Sequence, residues 1–273
     1  MAATRVSDLY RTAFVTGAST GLGRAFAEML LADGVRVWGT SRDPARLASI
    51  PGLIPVAMEL RDGADAEAVF RAADRAAGGF DLLINNAGFG VFAEFVGAEF
   101  SIWEEQLQVM LLSPARLAHA ALPGMMARRR GALVNISSLA AEFPLPFQSA
   151  YNIAKCGLSA LSESLMVETS GTGVVVLDVR PGDYRTDIEG SVRLPQAVSP
   201  LRMRRVGAAF SAMMTKGHDP AHAAAALRRA LLRQRSGTVR MGRFFQAVVA
   251  PFLARFGSDD LKRRAQARYF DAT

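Results

Sequence analysis

The chain has 273 residues, 50% hydrophobic and 21% charged, an ordinary globular composition with ample material for a large core. Its one cysteine, Cys156, excludes an intramolecular disulfide framework and fits a reducing compartment, hence an expected cytoplasmic location; no Cys/His cluster has metal-ligand spacing, so no metal is expected. The net charge of +7 is uneven: 16 Lys/Arg face 20 Asp/Glu up to Asp187, but 16 face 5 from Ile188 onward, with no recognition motif to suggest nucleic acid.

In chain order, Thr12–Thr16 reads as a strand and Gly21–Ala32 as a helix. Val35–Gly39 is a strand, followed by a short helix after Asp43–Pro44. Ile54–Leu60 (strand), Ala64–Ala77 (helix), Leu82–Asn85 (strand) and the long helical stretch Phe100–Ala127 come next. Ala132–Ser137 is a strand, Ser149–Ser170 a helix and Val174–Val179 a strand. Six strands alternating with helices imply βαβ units, hence an α/β fold: a Rossmann-type doubly wound parallel sheet with helices on both faces. Such a sheet binds ligands beyond the carboxyl ends of its strands.

After Asp187, Ser191–Gly217 and Ala221–Arg233 look helical, with weaker helical signals at Phe244–Phe256 and Asp260–Phe270. No repeat or long linker intervenes. The expected organisation is one domain, 1–273, with a dinucleotide-binding and catalytic core over 1–187 and a substrate lid and basic C-terminal extension over 188–273. His218 and His222 flank Pro220 without a nearby third ligand and read as a helix start. Met1–Arg11 lacks the apolar stretch of a signal peptide, and the longest apolar run, Phe244–Phe256, is broken by Pro251 and Arg255, so no transmembrane segment is expected. The basic end reads most plainly as a solvated or oligomer-facing surface. Sharper readings are an anionic substrate, an acidic protein partner, or peripheral contact with an anionic membrane.

Thr16-Gly17-Ala18-Ser19-Thr20-Gly21-Leu22-Gly23 follows the first strand and opens the first helix. Glycines there permit a tight turn and close backbone approach to phosphate, and the helix N-terminus supplies N–H groups to a pyrophosphate. The second strand ends Trp38-Gly39-Thr40-Ser41-Arg42. A carboxylate at this place suits the ribose of NAD, a basic residue the 2′-phosphate of NADP. Ser41 and Arg42 therefore favour NADP(H), with Asp43, before Pro44, read as a helix cap.

Tyr151 and Lys155 lie four residues apart in one predicted helix and share a face. A nearby ammonium favours the phenolate, which suits a tyrosine that exchanges a proton with a carbonyl or alcohol. Ser138 lies thirteen residues before Tyr151, at the end of Asn135-Ile136-Ser137-Ser138. Asn85-Asn86-Ala87-Gly88 ends the fourth strand, and Pro181-Gly182 follows the sixth, with Thr186 beyond. Every polar motif falls at the carboxyl end of a strand.

With these motifs the stretch from Thr12 to about Asp187 resembles the short-chain dehydrogenase/reductase family. The resemblance implies that Ser138, Tyr151 and Lys155 form the catalytic core. Tyr151 would be the general acid/base, Lys155 would bind the nicotinamide ribose and assist it, and Ser138 would hydrogen-bond the substrate oxygen. Gly17, Ser19, Thr20, Gly21, Leu22 and Gly23 would line the dinucleotide, Asn86, Ala87 and Gly88 would sit near the adenosine ribose, and Glu59 and Leu60 near adenine. Pro181, Gly182 and Thr186 would border the nicotinamide. A homo-dimer or tetramer is also implied.

One position departs from the family pattern. Met110 stands where the family usually has an asparagine that positions a proton-relay water. Pro114 has no N–H, so the Met110 carbonyl lacks its i+4 helical donor and can hold such a water beside Lys155. The plainer reading is that Met110 is a core residue. Phe89, Val91, Phe92, Phe95, Phe143, Leu145, Phe147 and Tyr184 cluster at the expected cleft mouth, which suggests a bulky hydrophobic small-molecule substrate. Met203, Met213 and Met214 fit an adaptable cover. Hydride transfer to or from that substrate is the leading expectation. The alternatives are dehydration, isomerisation or cyclisation on the same fold, or a non-catalytic NADP-binding or membrane-surface protein.

Overall fold

Short apolar runs become strands where both faces can be covered. β1 (Thr12–Val15), β2 (Arg36–Ser41), β3 (Ile54–Ala57), β4 (Leu82–Asn85), β6 (Gly131–Ile136), β7 (Val174–Pro181) and β9 (Gly237–Met241) form one sheet in the order β3-β2-β1-β4-β6-β7-β9. All its pairings are parallel. The short strands β5 (Gly90–Val91) and β8 (Val192–Arg193) make a second parallel pair. This computed structural model describes residues 4–185, 192–193, 200–249, 251–252, 256–258, 260 and 263–264. The expected nicotinamide-bordering Thr186 lies outside the described residues, as does most of 186–199.

The strand side chains alternate between two cores. Ala13 and Val15 face one with Phe26 and Leu30 of α1 (Gly21–Ala32) and Leu227 and Leu231 of α7 (Pro220–Leu232). Phe14 faces the other, with Phe70 of α2 (Gly63–Ala77) and Leu117 of α4 (Ser113–Ala127). In that second core the Phe14 and Phe70 rings meet edge to face, 5.1 Å apart. Local chemistry sets the helix ends. Asp62 accepts from Ala64 and Asp65 at the start of α2, and Gly78 closes it in the left-handed conformation. Asp219 accepts from Ala221 at the start of α7, so the His218/His222 pair does flank a helix start.

Three expectations are revised. The sheet has a seventh main strand, β9, in a region whose sequence showed mainly helical signals. The helix expected over Ser191–Gly217 is described only as α6 (Pro200–Thr215), preceded by β8. The long stretch Phe100–Ala127 divides into α3 (Phe100–Leu107) and α4, joined by a π-helical turn, Gln108–Leu112, in which the Ser113 N–H donates to the Gln108 carbonyl. Pro114 explains that widening, since it cannot supply the next N–H of a regular ladder. Among the described residues no helix is long and apolar enough to cross a membrane.

The strand order reverses between β1 and β4, which places the ligand crevice of such a sheet at their carboxyl ends. α5 (Ser149–Glu168) packs beside β6 and β7 and brings its N-terminal turns to the same edge.

Candidate active site

The glycine-rich turn sits in that crevice. Thr16 Oγ1 accepts from the backbone N–H groups of Asn86 and Ala87 at 2.9 and 3.0 Å. The Asn86 amide donates back to the carbonyls of Thr16 and Gly17. The ends of β1 and β4 are thereby locked together. Gly17 has φ +65, and a Cβ there would lie 2.9 Å from Ala87 Cα. A Cβ on Gly23 would lie 2.2 Å from the Gly17 carbonyl oxygen, so only glycine fits. No side chain caps the start of α1, leaving its first N–H groups directed at the crevice beside Ser19, Thr20, Gly21 and Leu22. This cradle fits the pyrophosphate of a dinucleotide.

At the end of β2, Ser41 is buried and Arg42 is exposed, with no ion-pair partner among the described residues. Asp43 accepts from Ala45 and caps the turn Pro44–Leu47, so the nearby carboxylate is committed to a cap. Glu59 accepts from the Arg61 N–H, and the Leu60 carbonyl accepts from Ser113 Oγ at 2.7 Å. That contact ties the expected adenine side of the crevice to the π-helical turn. Met110, in this turn, is 1% exposed and lies in the second core, where a Cβ on Gly88 would meet its Cε at 3.1 Å. Its side chain is core, which leaves only its backbone for a relay.

Ser138, Tyr151 and Lys155 come from two stretches that meet at the carboxyl end of β6. Ser138 follows that strand, caps the helical turn Leu139–Ala141 and accepts from Ala140 at 3.0 Å. Tyr151 and Lys155 occupy the first turns of α5. Ser138 is close enough to Tyr151 to lower its phenol's pKa, and Lys155 Nζ lies 5.7 Å from the Tyr151 ring centre. The Lys155 ammonium donates to the Ile136 carbonyl at 2.7 Å.

Burial governs both titrations. It raises the Tyr151 phenol above its ordinary value, aided by Asp183 and opposed by Ser138. It lowers Lys155 to about 8, against the pull of Asp178. The simple expectation that Lys155 draws the phenol toward neutrality therefore does not describe this structure. Desolvation is the largest influence on the phenol here.

Pro181 and Gly182 end β7 at the same edge. Gly182 donates to the Met241 carbonyl at 2.7 Å, and Gln246 packs against it while binding Asp183. β9 and the turn after it thus form one wall of the site, a contribution the strand pattern did not reveal. Val91 and Phe147, from the expected aromatic set, line a small hollow with Trp103 and Gln106, and Phe92 packs 6.0 Å from Phe147. Phe95 is instead exposed against Trp103. Tyr184 is also not cleft lining: it is 2% exposed and its hydroxyl bonds His222 Nδ1 at 3.0 Å, because the chain turns it toward α7. Cys156 is half-buried, with its thiol raised by burial.

Missed entirely was a buried ionic group behind the site. Asp178 and Arg180 on β7 bind each other at 2.7 Å, and Arg180 also binds Glu142 and Glu163. Two charges inside the otherwise apolar run Val174–Pro181 were its only trace in the sequence.

The short chain dehydrogenase family model matches residues 11–197. The 3-oxoacyl-[acyl-carrier-protein] reductase FabG of Vibrio cholerae is 31% identical over 196 residues, 70% of this chain and 80% of that protein. The chain spans 61% to 80% of the length of the curated relatives matched first. A short-chain dehydrogenase structure from Streptomyces avermitilis superposes with a TM-score of 0.81 at 29% identity, covering 99% of this chain and 97% of that one. A metagenomic short-chain oxidoreductase solved in complex with NADP gives 0.67 at 28% identity, covering 85% and 95%.

Proposed function

The chain belongs to the short-chain dehydrogenase family, a family of oxidoreductases, and we propose that it uses NADP(H) to reduce the carbonyl, or oxidise the alcohol, of a bulky hydrophobic small molecule. The observation that carries this reading is the meeting of Ser138, Tyr151 and Lys155 at the strand edge that also holds the Gly17–Gly23 cradle. The nicotinamide supplies the hydride when bound. The chain's own groups bind, orient and move the proton. Tyr151, its pKa raised by burial, holds its phenolic proton at neutral pH and donates it to the carbonyl oxygen. Ser138 hydrogen-bonds the same oxygen, and Lys155 binds the ribose and steadies the phenol. The Met110 carbonyl would hold a relay water beside Lys155, and Pro181 and Gly182 would border the nicotinamide.

NADP(H) over NAD(H) is supported by Arg42, by Ser41 and by the commitment of Asp43 to its cap. The bound NADP of the metagenomic neighbour agrees with it. Carbonyl reduction is also the reaction named for the Vibrio relative. A hydrophobic substrate is supported by Val91, Phe92 and Phe147. A panel of hydrophobic ketones assayed with NADPH and NADH tests the reading. Turnover should favour NADPH, and Arg42→Glu should lower that preference by about 10- to 100-fold, the effect of losing a charge-assisted phosphate contact. Equal use of both cofactors by the wild type would remove the NADP assignment.

One other chemistry is favoured by a specific observation: Met110 presents no polar side chain, which suits dehydration, isomerisation or cyclisation without net hydride transfer. A peripheral contact with an anionic membrane is supported by exposed Phe244, Phe245, Val248, Phe252 and Phe256 within the basic end of the chain.

A further inference from the structure

Behind Ser138 and Lys155 lies a polar cluster that the reaction as described does not use. Asp178 is fully buried in β7, where Ser159 Oγ donates to it at 2.7 Å, Arg180 Nε donates at 2.7 Å, and Ser137 donates through a short contact. The Arg180 guanidinium, 6% exposed, also donates to Ser159 Oγ at 2.5 Å, to Glu163 at 2.8 Å and to Glu142. Its planar fork spreads four contacts over three separate nitrogens, more than the three donors on the single nitrogen of an ammonium could make.

The partners sit beside the reacting groups. Ser137 precedes Ser138. Glu142 ends the helical turn that Ser138 caps. Ser159 lies one turn along α5 from Lys155, and Glu163 one turn further. Arg180 itself immediately precedes Pro181 and Gly182. One guanidinium thus ties together the three stretches that carry Ser138, the Tyr151/Lys155 pair and the Pro181–Gly182 wall. Buried ion clusters are poor sources of net stability compared with apolar packing, so a role in fixing geometry accounts better for this one. Asp178 is also the charge that opposes the effect of burial on Lys155.

We propose that Arg180 is a positioning residue: through Glu142 it fixes the turn that carries Ser138, and through Asp178 and Ser159 it fixes the face of α5 that carries Lys155. This rests on the oxidoreductase reading above. It also assigns Glu142 the role of a strut between Arg180 and the Ser138 turn. Arg240 Nε gives Glu142 a second partner at 2.8 Å, so variants at Arg180 and Glu142 are informative together.

Arg180→Lys, Glu142→Gln and the double variant, in the full chain, test the inference through ketone kinetics, NADPH binding by fluorescence, and amide hydrogen exchange. Each single variant should lower kcat by about 10- to 100-fold, the scale of an ångström-sized misplacement. NADPH affinity should fall less than kcat does, since the Gly17–Gly23 cradle is held by Thr16 and Asn86 and not by Arg180. The double variant should lose little beyond the worse single one, as expected for one connected unit. Exchange should quicken at Ala140, Ala141 and Glu142 and stay unchanged through β1 and α1. Values of kcat within about 3-fold of wild type, or unaltered exchange in the Ser138 turn, would overturn the proposal. If the wild type turns over no ketone, the oxidoreductase reading fails on its own, and exchange still decides whether Arg180 holds that turn.

Discussion

Lys155 sets stability against chemistry. Its side chain is buried, and burial lowers its pKa from 10.5 to about 8. Between those values the unfolded chain binds a proton that the folded chain does not, so this residue makes stability rise with pH across that window. Below about 8 the folded protein carries the full cost of an ammonium out of water. Lys155→Met keeps the volume and removes the charge. Urea unfolding at pH 7 should show the variant more stable by about 1–3 kcal/mol, with reductase turnover abolished; a less stable variant would contradict this assignment of cost. Tyr10 and Tyr184, both pushed up to about 12 by burial, act in the opposite direction. They stay protonated in the folded chain after the unfolded chain has begun to ionise, so their contribution is lost as pH rises through 10 to 12.

At the scale of elements, the join between β1, α1 and β4 decides cofactor binding. A methyl at Gly23 would fall 2.2 Å from the Gly17 carbonyl oxygen and 2.3 Å from Asn86 Nδ2. Gly23→Ala should therefore displace the turn and weaken NADPH binding by at least about 10-fold in a fluorescence titration, and unchanged affinity would show that the cradle is not where the dinucleotide binds. This turn was legible in the sequence because a strand, three glycines and an apolar helix follow one another within a few residues. Tyr151, Lys155 and Ser138 were legible for a similar reason, as residues at strand ends with fixed spacing. β9 was not, because Gly237–Met241 is short and only partly buried, and becomes a strand through its pairing with β7. The π-helical turn was hidden because helical signals continue unbroken from Phe100 to Ala127, so the stretch reads as one helix despite Pro114. The Arg180 cluster was hidden because, Asp178 apart, the partners of Arg180 lie 17 to 38 residues away. Burial, which reverses the simple argument for Tyr151, depends on what packs over the helix and not on the Tyr-x-x-x-Lys spacing.

Across the whole molecule, one parallel sheet brings the glycine turn, Ser138, α5 and the end of β7 to a single edge, while the basic C-terminal part adds β9 and an exposed aromatic stretch beside it. Phe252 and Phe256 are 63% and 68% exposed, with rings 4.8 Å apart. Phe252→Ser combined with Phe256→Ser should change stability by no more than about 1 kcal/mol, as surface substitutions do. The double variant should also reduce co-sedimentation with anionic vesicles, and equal sedimentation would leave these rings without a membrane role. The central claim is that Tyr151 gives its proton to a carbonyl beside a bound nicotinamide. Its most direct test is a single turnover of NADPH-loaded enzyme with a productive ketone, followed by nicotinamide absorbance, for wild type and Tyr151→Phe. The account predicts that the variant still binds NADPH but loses hydride at least about 10²-fold more slowly; oxidation of NADPH at the wild-type rate by Tyr151→Phe would contradict it.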